Sequence, residues 1–274
     1  MRRVAALAAF LALPLPAAAQ EVASNRATAY LHPTDVRDSR AVWVNPAGLA
    51  VLREASVYAD FAVQDPGTGR GRLRQISAGF NASGLAFSYQ RDVFDGGRRG
   101  HTYRIGLAGG AKNLAGGAAM ALYRGDTKGT GWDIGALYTI EGGAALTVGG
   151  VIANIGQPVV RSLQQRITYI PGATWRPLGP AAALSLHARI SPDSVLGYAF
   201  GLSWQGAGGR FPIGVLARLD TDGGLRRGAF AIGVSIGGPD RVGMVVSTPG
   251  DVSGVDAASL WALSSRVPAP TRRR

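Results

Sequence analysis

The chain has no cysteine among its 274 residues. That excludes disulfide staples, thiolate metal sites and cysteine nucleophiles. It is also short of charge: Asp, Glu, Lys and Arg make up 17% of it, where a soluble domain carries about a quarter. Long apolar runs are missing too. Nowhere do about eighteen apolar residues follow one another, so no membrane-spanning helix is expected. Histidine occurs three times, at His32, His101 and His187, and none has a partner at metal-ligand spacing. Neither a metal nor a cofactor is expected.

What is present begins with an export segment. Arg2 and Arg3 precede a short apolar stretch, Val4 to Leu13, which Pro14 and Pro16 break. Ala17-Ala-Ala-Gln20 then offers small residues for cleavage, so residues 1–19 read as a signal peptide with Gln20 as the first mature residue. An exported chain without a spanning helix is periplasmic, secreted or an outer-membrane barrel. Glycine, at 40 residues, is about twice its usual share.

From Ala55 onward, segments of about ten residues alternate large apolar with small or polar residues. In Leu196-Gly-Tyr-Ala-Phe-Gly-Leu-Ser-Trp-Gln205, the residues Leu196, Tyr198, Phe200, Leu202 and Trp204 share one face. Gly197, Ala199, Gly201, Ser203 and Gln205 share the other. A period of two is the strand period. A large apolar face opposite a small or polar one suits a transmembrane barrel, with lipid outside and water or packed side chains within. Fourteen such segments are readable, with twelve as the lower count. Short links such as Asn81-Ala-Ser83 and Ala111-Lys-Asn113 alternate with longer ones such as Val93–His101 and Asn154–Gln165. That matches short periplasmic turns and longer outer loops, and an even strand number puts both termini in the periplasm.

The fold class expected is therefore all-β: an antiparallel outer-membrane β-barrel over residues 55–267. Residues 20–54 form a periplasmic arm or plug, and residues 268–274 a basic tail. A soluble β-sandwich is the alternative, and it would need two large sheets with few surface Lys or Glu. Tyr123, Trp132, Tyr138, Trp175, Trp204, Phe211 and Trp261 fall near predicted strand ends, where interfacial girdles sit. The inward residues read as mostly Gly, Ala and Ser.

The net charge is +12, and two of those charges leave with the signal segment. The arginines are scattered through turns and strand ends, not gathered in a stripe with stacking aromatics, so nucleic acid is not expected as a partner. Arginine at a rim meets anionic lipid and lipopolysaccharide head groups; in the lumen it biases a pore toward anions. Arg104, Ser185, His187, Arg189 and Arg218 are the candidate lumen-lining residues. Ser185 and His187 share a strand face, but no acidic orienter lies nearby in sequence, so polar lining outweighs nucleophilic catalysis and no enzyme is expected. Asp92, Asp95 and Gly96-Gly97 lack the spacing of a calcium loop. No helix or Lys-Ser/Thr follows Gly109-Gly110 or Gly116-Gly117, so they are not phosphate cradles.

One short motif stands just before the first strand: Asn45-Pro46-Ala47-Gly48-Leu49. Pro46 fixes its own φ and keeps Asn45 extended. Asn45 can accept a backbone hydrogen bond two residues on, and Gly48 permits a sharp reversal. This motif, after an export segment and ahead of fourteen strands, resembles the outer-membrane long-chain fatty-acid transporter (FadL) superfamily, most closely its compact PorV/PorQ-type branch. The short chain and small outer loops fit the compact branch. The resemblance implies a fourteen-stranded barrel with an N-terminal plug, gated by Asn45, Pro46, Ala47 and Gly48. It also implies an apolar ligand path, with a small hydrophobic molecule as ligand. A second reading is a non-transporting barrel that docks a secretion-system or surface-attachment protein.

Overall fold

The computed structural model describes residues 25–52, 54–64, 72–142, 144–160, 163–206, 212–249 and 255–266. The expected signal peptide, the basic tail and Phe211 lie outside these residues. Fourteen antiparallel strands close into a barrel. In chain order they are β1 Ala55–Gln64, β2 Arg72–Ala82, β3 Leu85–Val93, β4 Arg99–Ala111, β5 Leu114–Gly125, β6 Gly129–Ile140 and β7 Ala145–Ile155. A two-strand hairpin, β8 Val159–Val160 with β9 Leu163–Gln164, decorates the following loop. The wall resumes with β10 Thr168–Arg176, β11 Ala182–Ser191, β12 Ser194–Gln205, β13 Ile213–Asp222, β14 Arg227–Gly237, β15 Asp240–Pro249 and β16 Ala257–Arg266. Each strand pairs with its chain neighbour across the wall, and β1 closes on β16 from Ala55↔Arg266 to Gln64↔Ala257.

Closure removes the free edges that an open sheet would present to lipid, where unpaired backbone groups have no water to bind. The alternation read from β12 holds: Phe200, Leu202 and Trp204 are 41–51% exposed on the outside, and Ala199 is fully buried. The same parity puts Leu107, Leu114, Ile134, Leu184, Val242 and Leu260 on the outer surface. This continuous apolar belt rules out the sandwich, which would bury it. Tight turns close one rim. At the β2–β3 turn, Ser83 and Gly84 both take positive φ (52° and 107°), the geometry that favours glycine.

The aromatic girdle needs correcting. Trp132, Tyr138, Trp175 and Trp204 are 45–49% exposed and face outward. Tyr123 and Trp261 are buried at 2% and 7% and face inward. The reason is parity. On β5 the outward set is even-numbered (Leu114 and Arg124 among it), so Tyr123 points into the lumen. On β16 Leu260 is outward and Trp261 inward, where the plug needs a partner.

Candidate functional site: a plug seated in the lumen

Residues 25–52 do not hang below the barrel. They run through the lumen, from Ala27 against Gln75 in the loop half to Leu49 against Asn81 near the tight turns, and supply much of the buried core, with Ala41, Val42, Ala47 and Leu49 fully buried. The segment has three short helical pieces, Arg26–Thr28, Ala41–Val44 and Pro46–Ala50. Asn25 opens the first, its Oδ1 accepting from the Thr28 amide at 3.0 Å. The second is a single turn, too short to be stable alone; wall contacts must hold it.

The Asn45-Pro46-Ala47-Gly48 motif forms the joint between the second and third pieces. Asn45 is extended (φ −156°, ψ 106°), as a residue before proline should be. Its Oδ1 accepts from the Ala47 amide at 3.1 Å, two residues on. Its Nδ2 donates to the Pro33 carbonyl at 2.9 Å and to the Gly150 carbonyl of β7 at 3.3 Å. One side chain thus caps the turn, ties two parts of the plug together and grips the wall. Gly48 acts differently from expectation. It has no positive φ, but a Cβ there would press to 2.9 Å from Ala41 Cβ and collide with the Val36 carbonyl. Close approach, not a left-handed bend, requires glycine.

The wall is cut to receive this motif. A Cβ on Gly117 of β5 would sit 2.7 Å from the Pro46 backbone, and one on Gly106 of β4 would meet Leu49 and Val42 at 2.9 and 3.0 Å. A Cβ on Gly135 of β6 would run into Asn45 Oδ1. Three adjacent strands therefore carry a glycine groove that accepts Asn45–Leu49 at backbone distance.

Charge fixes the rest of the plug. Arg40 binds Asp38 through Nε and Nη2 at 2.9 and 2.7 Å, donates to the Tyr30 hydroxyl at 3.0 Å, and lies 4.6 Å from the Trp261 ring centroid. Arg241 of β15 adds a contact to Asp38 at 3.3 Å. Burial alone raises the Asp38 carboxyl, but the Arg40 guanidinium and its hydrogen bonds outweigh that and hold it below the usual carboxylate range. Burial pushes the Tyr30 hydroxyl up to about 12 despite Arg40. These plug groups keep their charges paired at neutral pH.

The lumen-lining candidates are all on inward faces and divide by partner. Arg104 of β4 is fully buried, pairs with Asp133 of β6, donates to the Val42 carbonyl at 2.9 Å and stacks 4.8 Å from Trp43. Arg218 of β13 forks onto Asp220 and donates to the Leu31 carbonyl at 2.8 Å. Ser185 and His187 do not bond each other: Ser185 meets Thr174 at 2.9 Å, and His187 Nδ1 faces His32 Nδ1 at 3.0 Å. His32 lies well below its ordinary range, at about 3, first because it is buried and second because Arg218 is near. Thr174 also meets Thr34 of the plug at 2.7 Å. Arg189 has no carboxylate partner and lines a cavity.

That cavity, about 170 Å³, is bounded jointly by the plug and the wall. The plug contributes Leu31, Pro33 and Val44 with Asn25 and Thr28, and the wall contributes Ala153 and Ile170 with Asp133, Asn154, Thr168, His187, Arg189 and Arg218. The inward face is more polar than expected: Asp60, Gln75, Ser88, Gln90, Thr102 and Thr147 are all buried there. Among the described residues no group of three or more His, Cys, Asp or Glu is placed to hold a metal. Among the site residues that sequence reasoning missed are His32, Asp35 and Asp133, which meet His187, Arg176 and Arg104. Each meets a partner 29 to 155 positions away, and no local pattern marks such pairs.

The architecture defines an antiparallel barrel of the outer-membrane class, closed on itself with an internal N-terminal plug. No protein-family model matches the chain, and no curated protein matches it in sequence. Among solved structures, it is similar in fold to the CymD monoaromatic hydrocarbon channel (TM-score 0.53, 7% identity, 90% of this chain and 97% of that one). A Pseudomonas aeruginosa FadL homologue matches at TM-score 0.47 and 11% identity, over 85% of this chain and 94% of that one. The KdgM porin matches at 0.42 and 10%, over 76% and 98%.

Proposed function

We propose that this chain is a plugged outer-membrane channel for small, mainly apolar molecules, of the FadL type and its compact PorV/PorQ-like branch, with its outer loops facing the exterior and both termini periplasmic. The observation that carries this reading is the cavity bounded jointly by plug and wall. Its volume of about 170 Å³ compares with the ~150 Å³ apolar cavity that accommodates benzene. Its lining mixes apolar contacts at Leu31, Val44 and Ile170 with polar groups including Asn154, His187, Arg189 and Arg218, and suits a small molecule with an apolar body and a polar, preferably anionic, group. The plug closes the periplasmic side, so passage requires it to shift or the ligand to leave sideways. A sideways route would cross the ladder beside the cavity, which is interrupted there. The β10–β11 ladder pairs Tyr169↔Ile190 and resumes at Gly172↔His187, leaving Ile170 and Pro171 unpaired on that side. Proline brings no N–H to a ladder. The fold shared with a hydrocarbon channel supports the reading.

The second reading, a static barrel that docks a secretion-system or surface-attachment protein, is favoured by the buried locks at Arg104, Arg40 and Arg218. One variant separates the two. Ala153→Phe fills the cavity from β7 without touching the plug motif. In proteoliposomes, entry of p-toluenesulfonate, an aromatic anion that does not cross lipid alone, falls to the level of protein-free vesicles under the channel reading. Its entry through Ala153→Phe equal to that through the unaltered barrel refutes it.

A further inference from the structure

The outer wall near the loop rim carries a charge pattern that neither the plug nor the cavity uses. Strand parity turns Arg91 of β3, His101 of β4 and Arg124 of β5 outward, and the register puts them side by side: Arg91↔His101 and His101↔Arg124. Closer to the loops, Arg99 stands opposite Val93. One row toward the membrane centre come Tyr89↔Tyr103, and beneath them Phe87↔Ile105, Ile105↔Met120 and Met120↔Trp132. Tyr89 is already held, its hydroxyl 2.7 Å from His101 Nδ1 and its ring 5.3 Å from that of Tyr103.

Arg91 and Arg124 carry like charge on either side of His101, a repulsion that an anion lying between them relieves. No carboxylate does so among the described residues. Neither Arg91 nor Arg124 forms an ion pair. Arg91 Nε is buried without a hydrogen-bond partner, and Arg124 reaches only the Tyr123 carbonyl, at 2.8 Å. Asp92 faces inward, where Gln75 and Gln90 bind it. Asp126, in the next turn, accepts from the Arg99 amide at 2.9 Å. The opposite rim is treated differently: Arg266 is gripped by both oxygens of Asp240, at 2.7 and 2.8 Å. The loop rim thus leaves cations unmatched directly above an aromatic and apolar strip.

We propose that this β3–β5 face binds lipopolysaccharide, with Arg91 and Arg124 taking the phosphates of its lipid A and Phe87, Ile105 and Met120 receiving its acyl chains. The occupant must be anionic at the rim and apolar in the bilayer, and it must approach within the membrane plane. A phosphorylated, acylated glycolipid of the outer leaflet meets all three conditions, and guanidinium matches phosphate in geometry as well as charge. The assignment rests on the proposed orientation, with the loop rim outward, and not on what the channel carries.

The test uses the full-length barrel in detergent, titrated with bis-phosphorylated hexa-acyl lipid A and read by native mass spectrometry. The unaltered protein retains lipid A. R91A/R124A weakens retention about thirtyfold, the loss expected for two surface cations beside anionic lipid. R226A/R227A, which removes two cations at the β13–β14 connection, changes retention little, and R91K/R124K, which keeps the charge but loses the fork geometry, falls between the unaltered protein and R91A/R124A. Lipid A stripped of phosphate binds weakly. Heat-modifiable gel mobility confirms that each barrel is folded, and the single exposed change R124Q serves if the double variant is not. Unchanged retention by folded R91A/R124A or R124Q overturns the proposal. So does an equal loss in R226A/R227A, or equal binding of the phosphate-free lipid.

Discussion

Replacing Asn45 with alanine isolates the joint on which plug seating depends. The side chain is fully buried and makes three hydrogen bonds: one accepted from Ala47, and two donated to Pro33 and Gly150. Each contributes about 1 kcal/mol net, and the Ala47 amide, left buried without an acceptor, costs about 1–3 kcal/mol more. The total of about 4–6 kcal/mol acts on docking of the plug, because the barrel ladders are untouched. At 1.4 kcal/mol per tenfold change, the undocked population rises by roughly three to four orders of magnitude. Hydrogen exchange reads this directly: amides of residues 25–52 lose protection while those of β1–β16 keep theirs. Gly135→Ala provides the cross-check, since its Cβ would strike Asn45 Oδ1. Alone it also loosens the plug. Combined with Asn45→Ala, which vacates that space, its added effect shrinks, so the pair is less than additive. Plug exchange unchanged in Asn45→Ala, or strict additivity in the double variant, refutes the reasoning.

Three further outcomes follow from the same structure. Arg104→Met leaves Asp133 buried opposite an apolar group, and thermal unfolding should show a loss of about 3–5 kcal/mol. Leu202→Arg puts a charge on the lipid face, where Leu202 is 51% exposed. Reversible folding into vesicles should register a cost of about 2–4 kcal/mol, against near-neutrality for Leu202→Ile. The plug should also release in acid. His32, with His187 and Arg218 around it, is held at about 3 when seated against about 6.5 when free. A seated group of lowered pKa binds fewer protons than the released one. Docking is therefore full above pH 6.5 and weakens as pH falls toward 3, by up to tenfold per pH unit. Protease cleavage of the plug measured between pH 7 and pH 4 should rise in the unaltered chain and flatten in His32→Gln.

The strands were legible because a barrel wall writes its two solvents into alternate residues. Leu196–Gln205 needed only parity to place Phe200 outside and Ala199 inside. Turn residues such as Ser83-Gly84 marked the reversals. Parity also settles the two misplaced girdle residues: Tyr123 sits near a strand end and Trp261 in mid-strand, both on inward positions. The plug was legible only in part. The Asn45–Ala47 cap is local, two residues apart, so the motif disclosed it. The groove that receives it is not local. Gly106, Gly117 and Gly135 come from three strands and look like ordinary small lumen residues until Asn45–Leu49 lies against them. The pairings of His32 with His187 and of Arg104 with Asp133 depend on closure of the whole barrel. A single sequence carries no period for such contacts.

The central claim is that the plug seated by Asn45–Gly48 controls passage. The absence of cysteine gives a clean background for testing it. Thr34 of the plug and Thr174 of β10 meet at 2.7 Å through their hydroxyls, so Thr34→Cys with Thr174→Cys places two thiols for a bond between plug and wall. Entry of p-toluenesulfonate, which does not cross lipid alone, into proteoliposomes is then measured oxidised and after reduction. A moving plug predicts entry blocked when oxidised and restored by reductant. Equal entry in both states, with the disulfide verified by mass, would contradict it.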